Sequence, residues 1–160
     1  MAPETAISDP ITIKDSYELP DEFDSWTAVS SCSTDDFFSV NLTAVASQAL
    51  SQLNAIKQLP DDWDSYGSPQ LSEELYSSAQ KLIGLIQDAF VSQVPDVVPV
   101  SGGGVQFEWQ YRGCELEIEF SSPFEVAYLK VFEDESMEEG VFSIKEMETE
   151  VRKLLSWLFA

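Results

Sequence analysis

The chain has 160 residues, with 29 Asp and Glu against 8 Lys and Arg and no histidine, for a formal charge of −21. That balance excludes a cationic footprint for nucleic-acid phosphates. The missing imidazole excludes Ser-His-Asp and Cys-His nucleophile pairs and histidine-containing zinc sites. The 44% apolar share is that of an ordinary globular protein, so the acidity does not signal wholesale disorder.

Residues 1–33 mix Pro, Ser, Thr, Asp and Glu with isolated apolar side chains and read as an acidic, largely irregular arm. Their start lacks a positive n-region and a continuous apolar stretch, so it does not read as a signal peptide. No apolar run reaches the roughly 20 residues of a membrane span. With no sign of export, Cys32 and Cys114 are expected to be reduced thiols of a soluble, cytoplasmic protein.

Residues 34–160 read as a single α+β domain. Thr34-Asp35-Asp36 is a helix start, and Leu42, Val45, Ala46, Ala49, Leu53 and Ile56 follow at helical spacing until Pro60. The opposite side of this helix (Thr43, Ser47, Ser51, Gln52, Asn54) is polar but uncharged. That suits either packing on its own domain or lying against a partner. Ser72 caps a second helix running to about Phe90, with Glu73 and Glu74 in its first turn.

Beyond Pro95 and Pro99 the period changes to two. Val105, Phe107, Trp109 and Tyr111 alternate with polar residues, and after Arg112-Gly113 so do Cys114, Leu116, Ile118 and Phe120, a hairpin with a two-residue turn. A third strand is predicted at about residues 124–132, with large apolar side chains on both faces and therefore expected to be covered on both. A short fourth strand is predicted near residues 140–142, after an acidic loop at 133–139. Ser143-Ile144-Lys145-Glu146 is a capping box opening a final helix with Met147, Val151, Leu154, Leu155 and Leu158 on one side. The expected architecture is two helices, an antiparallel four-stranded meander, and a C-terminal helix packed on the sheet.

Several motifs bear on chemistry. Leu19-Pro20-Asp21-Glu22-Phe23-Asp24-Ser25-Trp26 echoes Leu59-Pro60-Asp61-Asp62-Trp63-Asp64-Ser65-Tyr66, either as a duplicated element or as a turn idiom arising twice in an Asp-rich chain. Counting from Asp62, the residues Asp62, Asp64 and Glu73 fall at positions 1, 3 and 12 of a calcium-binding EF-hand loop. Tyr66 at position 5, Pro69 at position 8 and the helix-ending Pro60 depart from that pattern, so these acids read instead as caps for the following helix. Ser101-Gly102-Gly103-Gly104 lacks the Gly-Lys-Ser/Thr ending of a phosphate loop and leads into a strand. No cofactor is implied.

Residues 59–69 (LPDDWDSYGSP), a helix, a Pro-containing link and then Gly103-Gly104-Val105-Gln106-Phe107-Glu108-Trp109 resemble a widespread set of small acidic bacterial proteins over roughly residues 55–130. Ser65 stands where that pattern has glycine. The resemblance implies a bacterial intracellular setting and a shared helix-plus-meander core, and it carries no activity with it.

If Phe107, Trp109, Leu116 and Ile118 face the core, then Glu108, Glu115, Glu117 and Glu119 project together outside, near Glu133, Asp134 and Glu135. Such a face suits solubility and protection of the sheet from edge pairing, or docking of a basic partner whose encounter it would steer. Trp26, Phe37, Phe38 and Trp157 are the candidate aromatic anchors. The expected function is a non-enzymatic module binding a basic protein, as an inhibitor, antitoxin-like antidote, chaperone or adaptor. One alternative is a nucleic-acid mimic occupying the cleft of a nucleic-acid-binding protein such as a nuclease or defence complex. A weaker one is a carboxylate-metal hydrolase. Direct nucleic-acid and membrane binding are not expected.

Overall fold

The computed structural model describes the backbone of residues 34–89 and 91–160, and side chains from residue 44 onward within those ranges. The readings made for residues 1–33, Trp26 among them, and for the side chains of Phe37 and Phe38 lie outside the described residues.

Among the described residues, three helices and five strands follow in chain order: α1 (Thr34–Lys57), α2 (Glu73–Asp88), β1 (Asp96–Val100), β2 (Gly104–Tyr111), β3 (Cys114–Phe120), β4 (Glu125–Val131), β5 (Met137–Ser143), a 3-10 turn (Ile144–Glu146) and α3 (Met147–Leu158). The strands form one antiparallel sheet in sequential order, β1 to β5. The α+β class stands, with one strand more than the expected four.

The extra strand is β1. Its Val-Val-Pro-Val run reads as a link because proline cannot donate to a ladder, yet Pro99 sits on an outer strand. The last strand is also longer than expected: Met137, Glu138 and Glu139 pair with Val131, Lys130 and Leu129 instead of lying in a loop. The turn between β4 and β5 is confined to residues 132–136, closed by Phe132 N donating to Ser136 O (2.9 Å). Between β2 and β3, Arg112 (φ 50°) and Gly113 (φ 82°) both take positive φ, as a type I′ hairpin turn requires.

Alternation sorts each strand into two faces. Phe107, Trp109, Leu116, Ile118, Phe120 and Val126 are buried on one of them. The buried stripes of α2 (Leu75, Ala79, Leu82, Ile83, Ile86) and α3 (Met147, Val151, Leu154, Leu155, Leu158) join them in a single core. Burying one such aliphatic or aromatic side chain contributes about 1.5–3 kcal/mol, so this layer dominates the stability of the fold. Trp109 is packed so tightly that its Nε1–H has no partner among the described residues.

Ser72 Oγ accepts from Leu75 N (3.2 Å) at the start of α2, and the Ser143–Glu146 capping box opens the C-terminal helical segment. α1 buries Val45, Ala49, Leu53 and Ile56 and packs on α2 and β1. Two of its uncharged polar side chains have internal work: Asn54 Oδ1 accepts from Tyr76 Oη (2.6 Å), and Gln52 Oε1 accepts from Val97 N (2.6 Å).

Candidate protein-binding face

The other face of the sheet carries Gln106, Glu108 and Gln110 from β2 and Glu115, Glu117 and Glu119 from β3. From β4 and β5 come Ala127, Leu129 and Val131, then Met137, Glu139 and Val141. None of these side chains is buried. β4 was expected to be covered on both sides. Its Val126 is buried against the helices, while Leu129 and Val131 lie on this open face.

Cross-strand register brings the glutamates together. Glu108 stands directly opposite Glu117, Gln106 opposite Glu119, and Gln110 opposite Glu115. Opposed side chains on an antiparallel pair have Cβ atoms about 4.5–5.5 Å apart, and neighbours two residues along a strand repeat at about 6.7 Å. Glu115, Glu117 and Glu119 thus form an evenly spaced row beside Glu108.

The surrounding donors are weak. Gln106 Nε2 donates to Glu108 Oε1 (3.0 Å), and Gln110 Nε2 to Glu115 Oε1 (3.2 Å). The ion pairs among the described residues are Lys57–Glu73, Lys130–Glu138, Arg152–Asp88, Arg152–Glu148 and Lys153–Glu150. None of them reaches this row. Partial burial, then the Glu108 and Glu115 carboxylates, push the Glu117 carboxyl above its ordinary value.

The other predicted residues separate. Glu133, Asp134 and Glu135 form the turn after β4, at the Glu115 end of the sheet, and all three are exposed. Asp134 is engaged locally: it accepts from the Ser136 hydroxyl and from Ser136 N (3.1 Å), and the hydroxyl bond leads in holding its carboxyl below the ordinary value. Trp157, expected as an exposed anchor, is half-buried on the helix side of the sheet. Its ring packs edge-on against Phe132 (centroids 5.1 Å apart), with Lys130 Nζ 5.2 Å from its centroid. It does not share a face with the glutamate row.

Asp62, Asp64 and Glu73 do not converge either. Asp62 Oδ1 accepts from Gly67 N (2.7 Å), and Glu73 Oε1 pairs with Lys57 Nζ (2.9 Å). Asp64 accepts from Tyr66 N (3.0 Å), Ser68 N (3.2 Å), Ser68 Oγ (2.6 Å) and Ser101 Oγ (3.0 Å). The Ser68 hydroxyl leads the bonds that hold Asp64 at about 2. These acids brace a loop, while the capping of α2 falls to Ser72. Among the described residues, no three Cys, Asp or Glu side chains are grouped to hold a metal ion.

That loop docks on the turn between β1 and β2. Gly102 N donates to the buried Ser68 Oγ (2.7 Å), and Gly103 (φ 85°) lies so close to Pro69 that a Cβ would sit 2.9 Å from its carbonyl oxygen. The two separated motifs of the sequence, WD-then-GxP and the glycine run, are therefore the two sides of one joint. Ser65 takes φ 62°, a conformation that glycine adopts without strain.

A cleft of about 460 Å³ between the ends of α2 and α3 is lined by Ala89, Val91, Ser92, Tyr111, Leu155 and Phe159, among others. Hydroxyls and backbone supply its polarity, with no carboxylate, amine or thiol. Sequence reasoning missed the apolar band beside the glutamates. Its signal was the two-sided apolar character of β4 together with Met137 and Val141. No helix among the described residues is long and apolar enough to cross a membrane. No family model matches the chain, and no curated protein or solved structure does either.

Proposed function

We propose that this protein is a non-enzymatic, cytoplasmic binding module that docks on a basic protein through the open face of its sheet, as an inhibitor, antidote, chaperone or adaptor does. One observation carries the reading: Glu108, Glu115, Glu117 and Glu119 stand together on a face lined by no buried side chain, and none has an ion pair among the described residues. Like charges opposed across strands cost stability. A cationic partner would relieve that cost, and the field of the row would accelerate encounter. The adjoining Leu129, Val131 and Val141 add apolar area that salt does not screen.

The test compares capture from lysate of the native host by the wild type and by the Glu115→Gln, Glu117→Gln, Glu119→Gln triple variant. A Glu148→Gln, Glu150→Gln variant on α3 controls for lowered net charge. A basic protein should be retained by the wild type and the α3 variant and lost by the triple variant. Equal retention by all three removes the glutamate row from the reading.

The even spacing of Glu115, Glu117 and Glu119 favours a second reading, a nucleic-acid mimic in the cleft of a nucleic-acid-binding protein. Duplex DNA would then compete with this protein for the captured partner. A partner held by the apolar band would keep most of its affinity in the presence of DNA.

A further inference from the structure

The two edges of the sheet are finished differently. On β1 the outward-facing positions are Val97 and Pro99. Val97 N donates to Gln52 Oε1 (2.6 Å), and proline has no N–H to offer. That edge is closed by two independent devices.

On β5, the bonds Phe132 N to Ser136 O (2.9 Å) and Ile144 N to Phe124 O (2.8 Å) fix the phase of the ladder. Hydrogen-bonded pairs alternate along an antiparallel pair, so Glu138, Gly140 and Phe142 exchange bonds with β4. Met137, Glu139 and Val141 therefore turn their N–H and C=O outward, and none of these groups has a partner among the described residues. The same alternate residues carry exposed apolar side chains, Met137 at 70% and Val141 at 62% exposure.

An open edge with apolar side chains invites another strand. Glu139, which has no ion pair among the described residues and lies across Leu129 from Glu117, selects which one, whereas Glu138 is already paired with Lys130 Nζ (2.9 Å). A second copy brings a net charge of −21, and residues 1–33 bring seven acids to one lysine, so each meets this acidic edge with an excess of like charge. We propose that β5 receives an extended segment of the partner as a sixth strand, which sets apolar side chains beside Met137 and Val141 and a cation beside Glu139 between them. This rests on the binding-module reading and adds the mode of docking: backbone pairing holds the partner that the glutamate row attracts.

The probe is the acetylated, amidated heptapeptide Thr-Val-Thr-Lys-Thr-Val-Thr, whose Val, Lys and Val share one face, titrated into the full chain. A twin peptide N-methylated at alternate residues serves as control. Strand addition predicts saturable binding with slowed amide exchange at Met137, Glu139 and Val141, and at least tenfold weaker binding of the methylated twin. Val141→Pro removes an outward N–H that β4 does not use, as Pro99 does on β1, and should weaken the unmodified peptide similarly while circular dichroism stays unchanged. If Val141→Pro unfolds the chain, the methylated twin alone decides. Absent binding, equal binding of both peptides, or binding without protection at Glu139 and Val141 overturns strand addition. These outcomes are separate from the glutamine triple variant: its loss of the captured protein with no strand addition leaves the binding module standing and moves docking to the open face.

Discussion

Two acid-rich regions of this molecule treat their carboxylates in opposite ways. In the loop after α1, Asp61, Asp62 and Asp64 each accept backbone N–H groups, from Gln70, Gly67, and Tyr66 and Ser68. On β2 and β3, Glu108, Glu115, Glu117 and Glu119 accept at most a glutamine side chain and face one another. The first set stabilises a loop whose backbone donors would otherwise lack partners. The second set weakens the sheet it stands on. Charge that opposes folding, gathered on a face that no other described element covers, is what the proposed docking of a cationic partner would account for.

Disturbing the loop should produce the largest losses. Gly103→Ala places a Cβ against the Pro69 carbonyl in a left-handed conformation, and each of those costs is about 1–3 kcal/mol. A fall of several degrees in melting temperature is expected, and an unchanged Tm would mean that the joint with Pro69 can open freely. Ser68→Ala should follow at about 1–3 kcal/mol, because the Gly102 N–H and the Asp64 carboxylate both lose the hydroxyl of the buried Ser68. Urea denaturation would measure it, with the midpoint moving and the slope constant.

The hairpin, the capping box and the apolar stripes of the helices could be read from sequence because each is a local pattern: alternation, a Ser three residues before Glu, apolar spacing of three and four. What could not be read depends on neighbours distant in the chain. Pro99 reads as a link until β1 is known to be an outer strand whose outward positions need no N–H. Glu138 reads as loop until Lys130 is seen opposite it, with Nζ 2.9 Å from Oε1. Trp157 reads as exposed until Phe132 is found against its ring. The glutamate row was visible, since it follows from alternation alone. The apolar band beside it was not, because a strand with two apolar faces implies two covers and the described residues cover only one face of this one.

Acid titration separates the two regions by sign. Asp64 is held at about 2, chiefly by the Ser68 hydroxyl, and on unfolding returns to the ordinary carboxylate value of 3.8. Its contribution is therefore complete above the ordinary value and is lost as pH falls through about 2. Asp64→Asn should flatten that acid limb of a stability–pH curve, with no such change from substitutions on β3.

Glu117 runs the other way and has the smallest effect. Its carboxyl lies above the ordinary value of 4.5 because of burial and the facing Glu108 and Glu115 carboxylates. Ionisation is thus harder in the folded chain than in the unfolded one, and stability is lost as pH rises from the ordinary value through the raised one. Glu117→Gln removes both the desolvated charge and its repulsion. It should raise stability at neutral pH by a few tenths of a kcal/mol, while the same variant should slow association with the proposed cationic partner and make it less sensitive to salt. Thermal melts and stopped-flow association on one preparation would measure both. A gain in stability with undiminished association would make the glutamate row a solubility feature of the sheet. Opposite signs in the two measurements mark a residue retained for binding at the expense of the fold.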